Sequence, residues 1–274
     1  MQPVVILGVI STLLYLSAAV FLTMRLDPSR GTTPSPYLPQ LLALAAIVLH
    51  GILLYGGILT TSGTDLRVSN AASLMGWVTA MLFLSVCLVK RIDNLGIFLL
   101  PLAALGVVFS LAHTTARYVS TDMGIGLQLH VAVSILAYAV LAIAACQAIL
   151  LAFQERALRR KRPERLPGVL PPLQVQESMM FQMIGFGFFL LSLSLMSGIV
   201  FVQDMFAQHL VHKTVLAITA WVLFGVLLWG RWRFGWRGRT AIRWSLGGFL
   251  TLALAYFGSK VVLEMVLGRF WFSG

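Results

Sequence analysis

The most constraining feature of this chain is the recurrence of long apolar stretches, separated by short polar connections. Crossing ~30 Å of hydrocarbon takes about 20 residues of α-helix at a rise of about 1.5 Å per residue. Eight stretches meet that requirement: Pro3–Met24, Leu38–Thr60, Ala71–Val89, Gly96–His113, Gly126–Phe153, Met179–Gln203, Thr214–Gly230 and Trp244–Leu267. Only 11% of the residues are charged, against roughly 25% in a soluble domain, and the mean hydropathy is +0.90. A soluble fold, a disordered chain and a disulfide scaffold are excluded together. The fold expected is all-α, a polytopic membrane helix bundle of eight transmembrane helices forming one domain over residues 1–274.

The formal net charge of +11 would point to nucleic acid in a soluble protein. Here the charges are segregated. The connections after the first, third, fifth and seventh stretches, together with Arg243, hold fifteen of the twenty basic residues. Lys and Arg collect in cytoplasmic loops, so both termini are expected outside the cytoplasm and nucleic acid is not an expected partner. The first stretch lacks a basic n-region and is about as long as the others, so it reads as a span and not as a cleaved leader. The longest connection, Gln154–Ser178, is basic and then proline-rich, which suits a cytoplasmic loop facing anionic headgroups. Arg231–Thr240 interleaves Arg with Trp, a composition that anchors helix ends at an interface. The lipid bilayer is thus the first expected partner.

Chemistry in such a chain lies in the polar residues at membrane depth, where ionisable groups are costly. His50 lies near the middle of the second stretch. It reads either as a hydrogen-bonded structural histidine or as a metal or haem-iron ligand. His130, Ser134 and Tyr138 follow at steps of four, so they share one helix face turned to protein or to a cavity. Helix–helix hydrogen bonding is the alternative role for that stripe. Tyr256, Lys260 and Glu264 repeat the spacing in the last stretch. Lys260 either pairs with Glu264 or faces a cavity holding an anionic group. His209 and His212, in the connection before the seventh stretch, are either solvated or a surface metal site, and His113 makes no stronger claim. Cys87 and Cys146 sit in separate apolar runs, and CxxC, CxxCH, HExxH, GxSxG and P-loop motifs are all missing. No catalytic residue emerges.

Four segments, in order, carry a resemblance. His50 followed by VSNAASLMGW, then HVAVSILAYAVLAIAACQAILL from His130, then LPPLQVQESMMFQMIGFGFFLLSLSLMSG, then KTVLAITAWVLFGVLLWGRWRFGWRGR with GFLTLALAYFG are similar to the cytochrome c assembly family that includes CcsA, CcmC and HemX. The resemblance spans the second to eighth stretches. It implies a haem-handling protein of the bacterial inner membrane, with non-covalent haem b as cofactor and other membrane assembly proteins as partners. It makes His130 a candidate external haem ligand and His50 a candidate intramembrane one. Ser134 and Tyr138 would line the site, and Lys260 would meet a propionate.

The departures matter too. Where the family carries a tryptophan-rich motif, this chain reads QDMFAQHLVHKTVLAITAW, keeping Lys213 and Trp221. Trp229 stands where larger members have a histidine, and none follows AYFG. The implied role is therefore haem handling short of complete cytochrome c synthesis. A non-haem scaffold or accessory subunit with the same fold, and a small-solute transporter, remain the other classes.

Overall fold

The computed structural model describes residues 2–26, 35, 37–60, 63–64, 68–88, 92–112, 124–160, 171–201 and 208–258. These residues form eight α-helices: α1 (Gln2–Leu26), α2 (Leu38–Ile58), α3 (Val68–Cys87), α4 (Gly96–Ala112), α5 (Ile125–Arg159), α6 (Leu173–Phe201), α7 (Gln208–Phe234) and α8 (Arg239–Ala253). A two-residue antiparallel pairing, Leu59–Thr60 with Gly63–Thr64, follows α2. Among the described residues seven helices are long and apolar enough to cross a membrane. The eighth predicted stretch is described only as far as Gly258, through α8 and a π-helical turn over Leu254–Gly258.

The helices group into two compact units: residues 1–122 with 164–170, and 123–163 with 171–274. In the first, α1 packs on α2 and α4, and α3 packs on α2 and α4. The α3–α4 contact is built from small residues, which let backbones approach where no hydrophobic effect drives helices together. A Cβ on Gly106 would lie 3.2 Å from the Ala72 carbonyl oxygen and the Ser73 Cα. Outward faces carry bulky apolar side chains such as Val9, Leu13 and Leu16 on α1 and Leu41, Leu44 and Val48 on α2. Exposed apolar faces of this extent are lipid-facing in a chain of this composition.

In the second unit α5 is the central helix. Some 72% of its apolar window is buried, against 17% for α7, because α5 packs on both α6 and α8. On α8 the stripe Ala241, Ser245, Gly248 and Leu252 is buried, the three-and-four spacing of one helix face. The unit has two polar ends.

At one end the C-termini of α5 and α7 meet the N-termini of α6 and α8. Glu177 accepts from Arg231 at 2.6 Å and from the Gly238 N–H at 3.3 Å, while Glu155 pairs with Arg159 at 2.8 Å and Arg239 at 3.5 Å. Buried Gln147, Gln154 and Gln176 link α5 to α6, with Gln176 donating to Gln154 at 2.7 Å. The turn joining α7 to α8 needs glycine at Gly238, whose φ of 56° and ψ of −131° lie where a side chain is strained. The connection between α5 and α6 is shorter than the Gln154–Ser178 loop expected from sequence, because α5 continues to Arg159 and α6 begins at Leu173. The polar ends of both helices are supported by these ion pairs and amides.

Candidate functional site

The opposite end of the second unit gathers the polar stripe of α5. Ser134 donates its hydroxyl proton to the His130 carbonyl at 2.6 Å. Its other polar neighbour, the Ser194 hydroxyl of α6 at 2.7 Å, must then be the donor to Ser134. Ser197, one turn on, donates to the Ser194 carbonyl at 3.0 Å. With its proton on that carbonyl, Ser197 is an acceptor at the 3.0 Å contact with His130 Nδ1, an arrangement in which Nδ1 carries the hydrogen and Nε2 the lone pair. Ligating imidazoles usually donate their other N–H to a fixed acceptor in this way.

Two turns deeper, Tyr138 donates to the Leu252 carbonyl at 2.8 Å, beside the π-helical turn that ends α8. Its ring meets Tyr256 edge-on at 5.8 Å. Lys213, in the second turn of α7, places its ammonium 5.0 Å from the centre of the Tyr256 ring, a cation–π distance. His130, Ser134, Ser194, Ser197, Tyr138, Tyr256 and Lys213 thus bring four helix ends into one cluster.

The sequence reading identified the α5 stripe. It did not identify Ser194 and Ser197, although their spacing of three in LSLSLMSG signals a polar face, nor the role of Lys213. His209 and His212 fall in the first turns of α7 and not in a loop. His212 is exposed, and the side chain of His209 lies outside the described residues, as do His113, Lys260 and Glu264. Trp221 donates to Ser192 at 2.8 Å and stacks on Phe188, holding α7 to α6. Trp229 is exposed and packs against Trp232. Among the described residues no group of three or more His, Cys, Asp or Glu side chains converges on a metal position.

His50 is in a different situation. It is 1% exposed, with Nδ1 3.3 Å from the Tyr15 hydroxyl of α1 and Nε2 2.8 Å from the Ser73 hydroxyl of α3. Both ring nitrogens are engaged, so one imidazole ties three helices. Around it Ser11 donates to the Ala46 carbonyl at 3.0 Å and Trp77 to the Ile47 carbonyl at 2.8 Å. A cavity of about 240 Å³, counting its open mouth, reaches His50 past Gly57, Asn70, Ser73 and Ser110. The enclosed part has room for about one water molecule, far less than an ordinary small-molecule site.

The family model described as "Cytochrome C assembly protein" matches residues 38–267. The chain belongs to this family. It is similar to the inner membrane protein YpjD of Escherichia coli, 33% identical over 82% of this chain and 86% of that protein. An uncharacterized 28.8 kDa protein of Azospirillum brasilense is 38% identical over 53% of this chain and 54% of its own. The cytochrome c biogenesis protein CcsA of Chlamydomonas reinhardtii is 26% identical over 50% of this chain and 38% of its own. No solved structure matches. The matched region takes in α2 to α8, and so both His50 and the His130 cluster. Family membership and the spans together make the chain a multi-pass inner-membrane protein.

Proposed function

We propose that this protein binds haem b non-covalently at the external end of its second unit and handles it in cytochrome c assembly, without completing the attachment itself. The observation that carries the reading is the proton count around His130. Ser194, Ser134 and Ser197 each have an acceptor within reach of their hydroxyl hydrogen, and with those acceptors used Nδ1–H donates to Ser197 and Nε2 is the ligand atom. His130 fits haem iron, because the ring is held by α6 and the ligating nitrogen is not spent within the serine chain. Ser134 and Tyr138 act through the helices, tying α5 to α6 and to α8, so that the imidazole keeps its direction. Haem contributes the iron that an imidazole ligates, and as cargo it is what a cytochrome c would receive. The external placement follows from the positive-inside distribution, since the arginine-rich helix ends lie at the far end of the same unit.

A second assignment concerns the first unit. With both ring nitrogens bonded and a small cavity beside it, His50 serves the bundle and does not ligate iron there. That favours a scaffold role for α1–α4.

The test is the absorption spectrum of the purified protein in detergent, titrated with ferric haem. Wild type should develop a stoichiometric Soret band, and His130→Ala should lose or shift it, with His50→Leu and His212→Ala leaving it in place. An unchanged spectrum in folded His130→Ala would overturn the site. A lost band in folded His50→Leu would return haem ligation to the first unit.

A further inference from the structure

Among the described residues, the end of the second unit opposite His130 holds eight arginines and two glutamates. Both carboxylates are occupied. Glu177 takes Arg231 and the Gly238 N–H, and Glu155 takes Arg159 and Arg239. Arg156, Arg160, Arg233, Arg237 and Arg243 are all exposed, and among the described residues none of them meets a carboxylate. Arg233 lies over the neighbouring Phe234 ring at 5.7 Å.

Helix dipoles account for part of this set. Arg156, Arg160 and Arg233 lie in or beside the last turns of α5 and α7, where a helix favours cations. Arg237 and Arg243 lack that support. They bracket the first turn of α8, the end that disfavours a cation. Arg243 also stands four residues from Arg239, a like-charge spacing that costs a helix a little more. The Arg239–Glu155 pair holds this turn against the end of α5, and a Cβ on Gly238 would lie 3.8 Å from a Glu155 carboxylate oxygen. Five uncompensated cations thus share one rim, and an anion from outside the chain is what that rim lacks. The rings beside it indicate which anion. Trp229, Trp232 and Phe234, on the last turns of α7, are exposed, and Trp collects at the headgroup level of a membrane. A free phosphate or a soluble acidic protein would leave those rings in water, whereas a lipid covers them.

We infer that the unpaired arginines of the α5 end and the α7–α8 turn seat the phosphate of an acidic phospholipid, whose acyl chains lie against Trp229 and Trp232. The positive-inside pattern places basic residues on this side of the membrane without separating paired from unpaired ones. Here the pairing selects which arginines bind.

The experiment uses the full-length protein in phosphatidylcholine bilayers to which brominated phosphatidylglycerol or brominated phosphatidylcholine is added. Bromine quenches tryptophan on contact, so the two quenching curves give the relative affinity for the acidic headgroup. Four of the seven tryptophans, Trp229, Trp232, Trp236 and Trp244, lie at this end. Each basic residue near an anionic surface corresponds to about fivefold in binding, and salt screens part of it. Wild type should therefore prefer phosphatidylglycerol by about tenfold at low salt, and Arg237→Gln with Arg243→Gln should reduce this to about twofold. Lys90→Gln with Arg91→Gln removes the same charge from another connection and should keep the preference. No preference in wild type, or a full preference surviving in the Arg237 and Arg243 variant, would overturn the inference. Equal losses in the two double variants would show that net charge alone attracts the lipid, and would overturn it too. A preference abolished by inorganic phosphate at constant ionic strength would assign the seat to a free anion instead. Should the Arg237 and Arg243 variant fail to fold, Arg156→Gln with Arg160→Gln decides: a reduced preference would support the seat, and a full one would overturn it.

Discussion

Ser73→Ala isolates the part of the first unit that the His50 assignment depends on. The substitution removes the hydroxyl 2.8 Å from His50 Nε2, at a position where Ser73 is 2% and His50 1% exposed. Water cannot replace it without entering the bundle. A buried polar group left without a partner costs about 1–3 kcal/mol. Interhelical hydrogen bonds in membranes average about 0.6 kcal/mol and reach about 1.7. The ranges overlap near 1 kcal/mol, which is about fivefold in the unfolding constant. Tyr15→Phe should cost about half as much, because its 3.3 Å hydrogen bond is long and correspondingly weak and the ring remains to pack.

The decisive comparison is Ser73→Ala in a His50→Leu background. There the hydroxyl has lost its imidazole and can turn to the carbonyl four residues back, as helical serines do. Its removal should then cost almost nothing, giving a coupling of about 1 kcal/mol between the two positions. Equilibrium unfolding in mixed detergent and SDS micelles, followed by tryptophan fluorescence, measures all four proteins. Equal costs of Ser73→Ala with and without His50 would show that the bond does not tie α2 to α3, and the structural assignment of His50 would fall.

Two further outcomes are expected. Gly238→Ala forces a side chain into a conformation that costs on the order of 1–3 kcal/mol, so the melting temperature in detergent should fall by several degrees; Glu177→Ala, which removes the acceptor for both Arg231 and Gly238, should fall similarly, and unchanged melting in both would show that this turn does not anchor the second unit. With Cys87 and Cys146 replaced by alanine, Gln2→Cys and Ala157→Cys should label from opposite sides of the membrane with an impermeant thiol reagent, and labelling from the same side would contradict the charge-based topology.

Helix number and approximate limits follow from composition alone, because a bilayer imposes one length and one backbone solution on every apolar stretch. Gly96–His113 and α4 nearly coincide, and Leu38–Thr60 differs from α2 by two residues. Two of the ends that moved, Phe153 to Arg159 and Met179 to Leu173, are extended by polar partners. Hydropathy is blind to a helix continued by Glu155–Arg159 or capped by buried glutamines. The α5 stripe was legible because its spacing of four is a property of the helix itself.

What lay beyond the sequence is which side chains meet across helices. His50 and His130 are equivalent as letters, each a histidine in an apolar run. Tertiary packing separates them. Tyr15 and Ser73, from helices 35 and 23 residues away, occupy both nitrogens of His50. Around His130 the serines of α6 take Nδ1 alone. A hydroxyl has one hydrogen to donate, so the tautomer of His130 depends on where Ser197 points, and no local pattern encodes that. Lys213 likewise acquires its place only when α7 folds beside the turn that carries Tyr256. The sequence by itself determined that the chain lives in a membrane and which residues were costly to bury there, since both depend on transfer from water. The tertiary structure alone decided which partners those residues meet, since hydrogen bonding depends on groups brought from elsewhere in the chain.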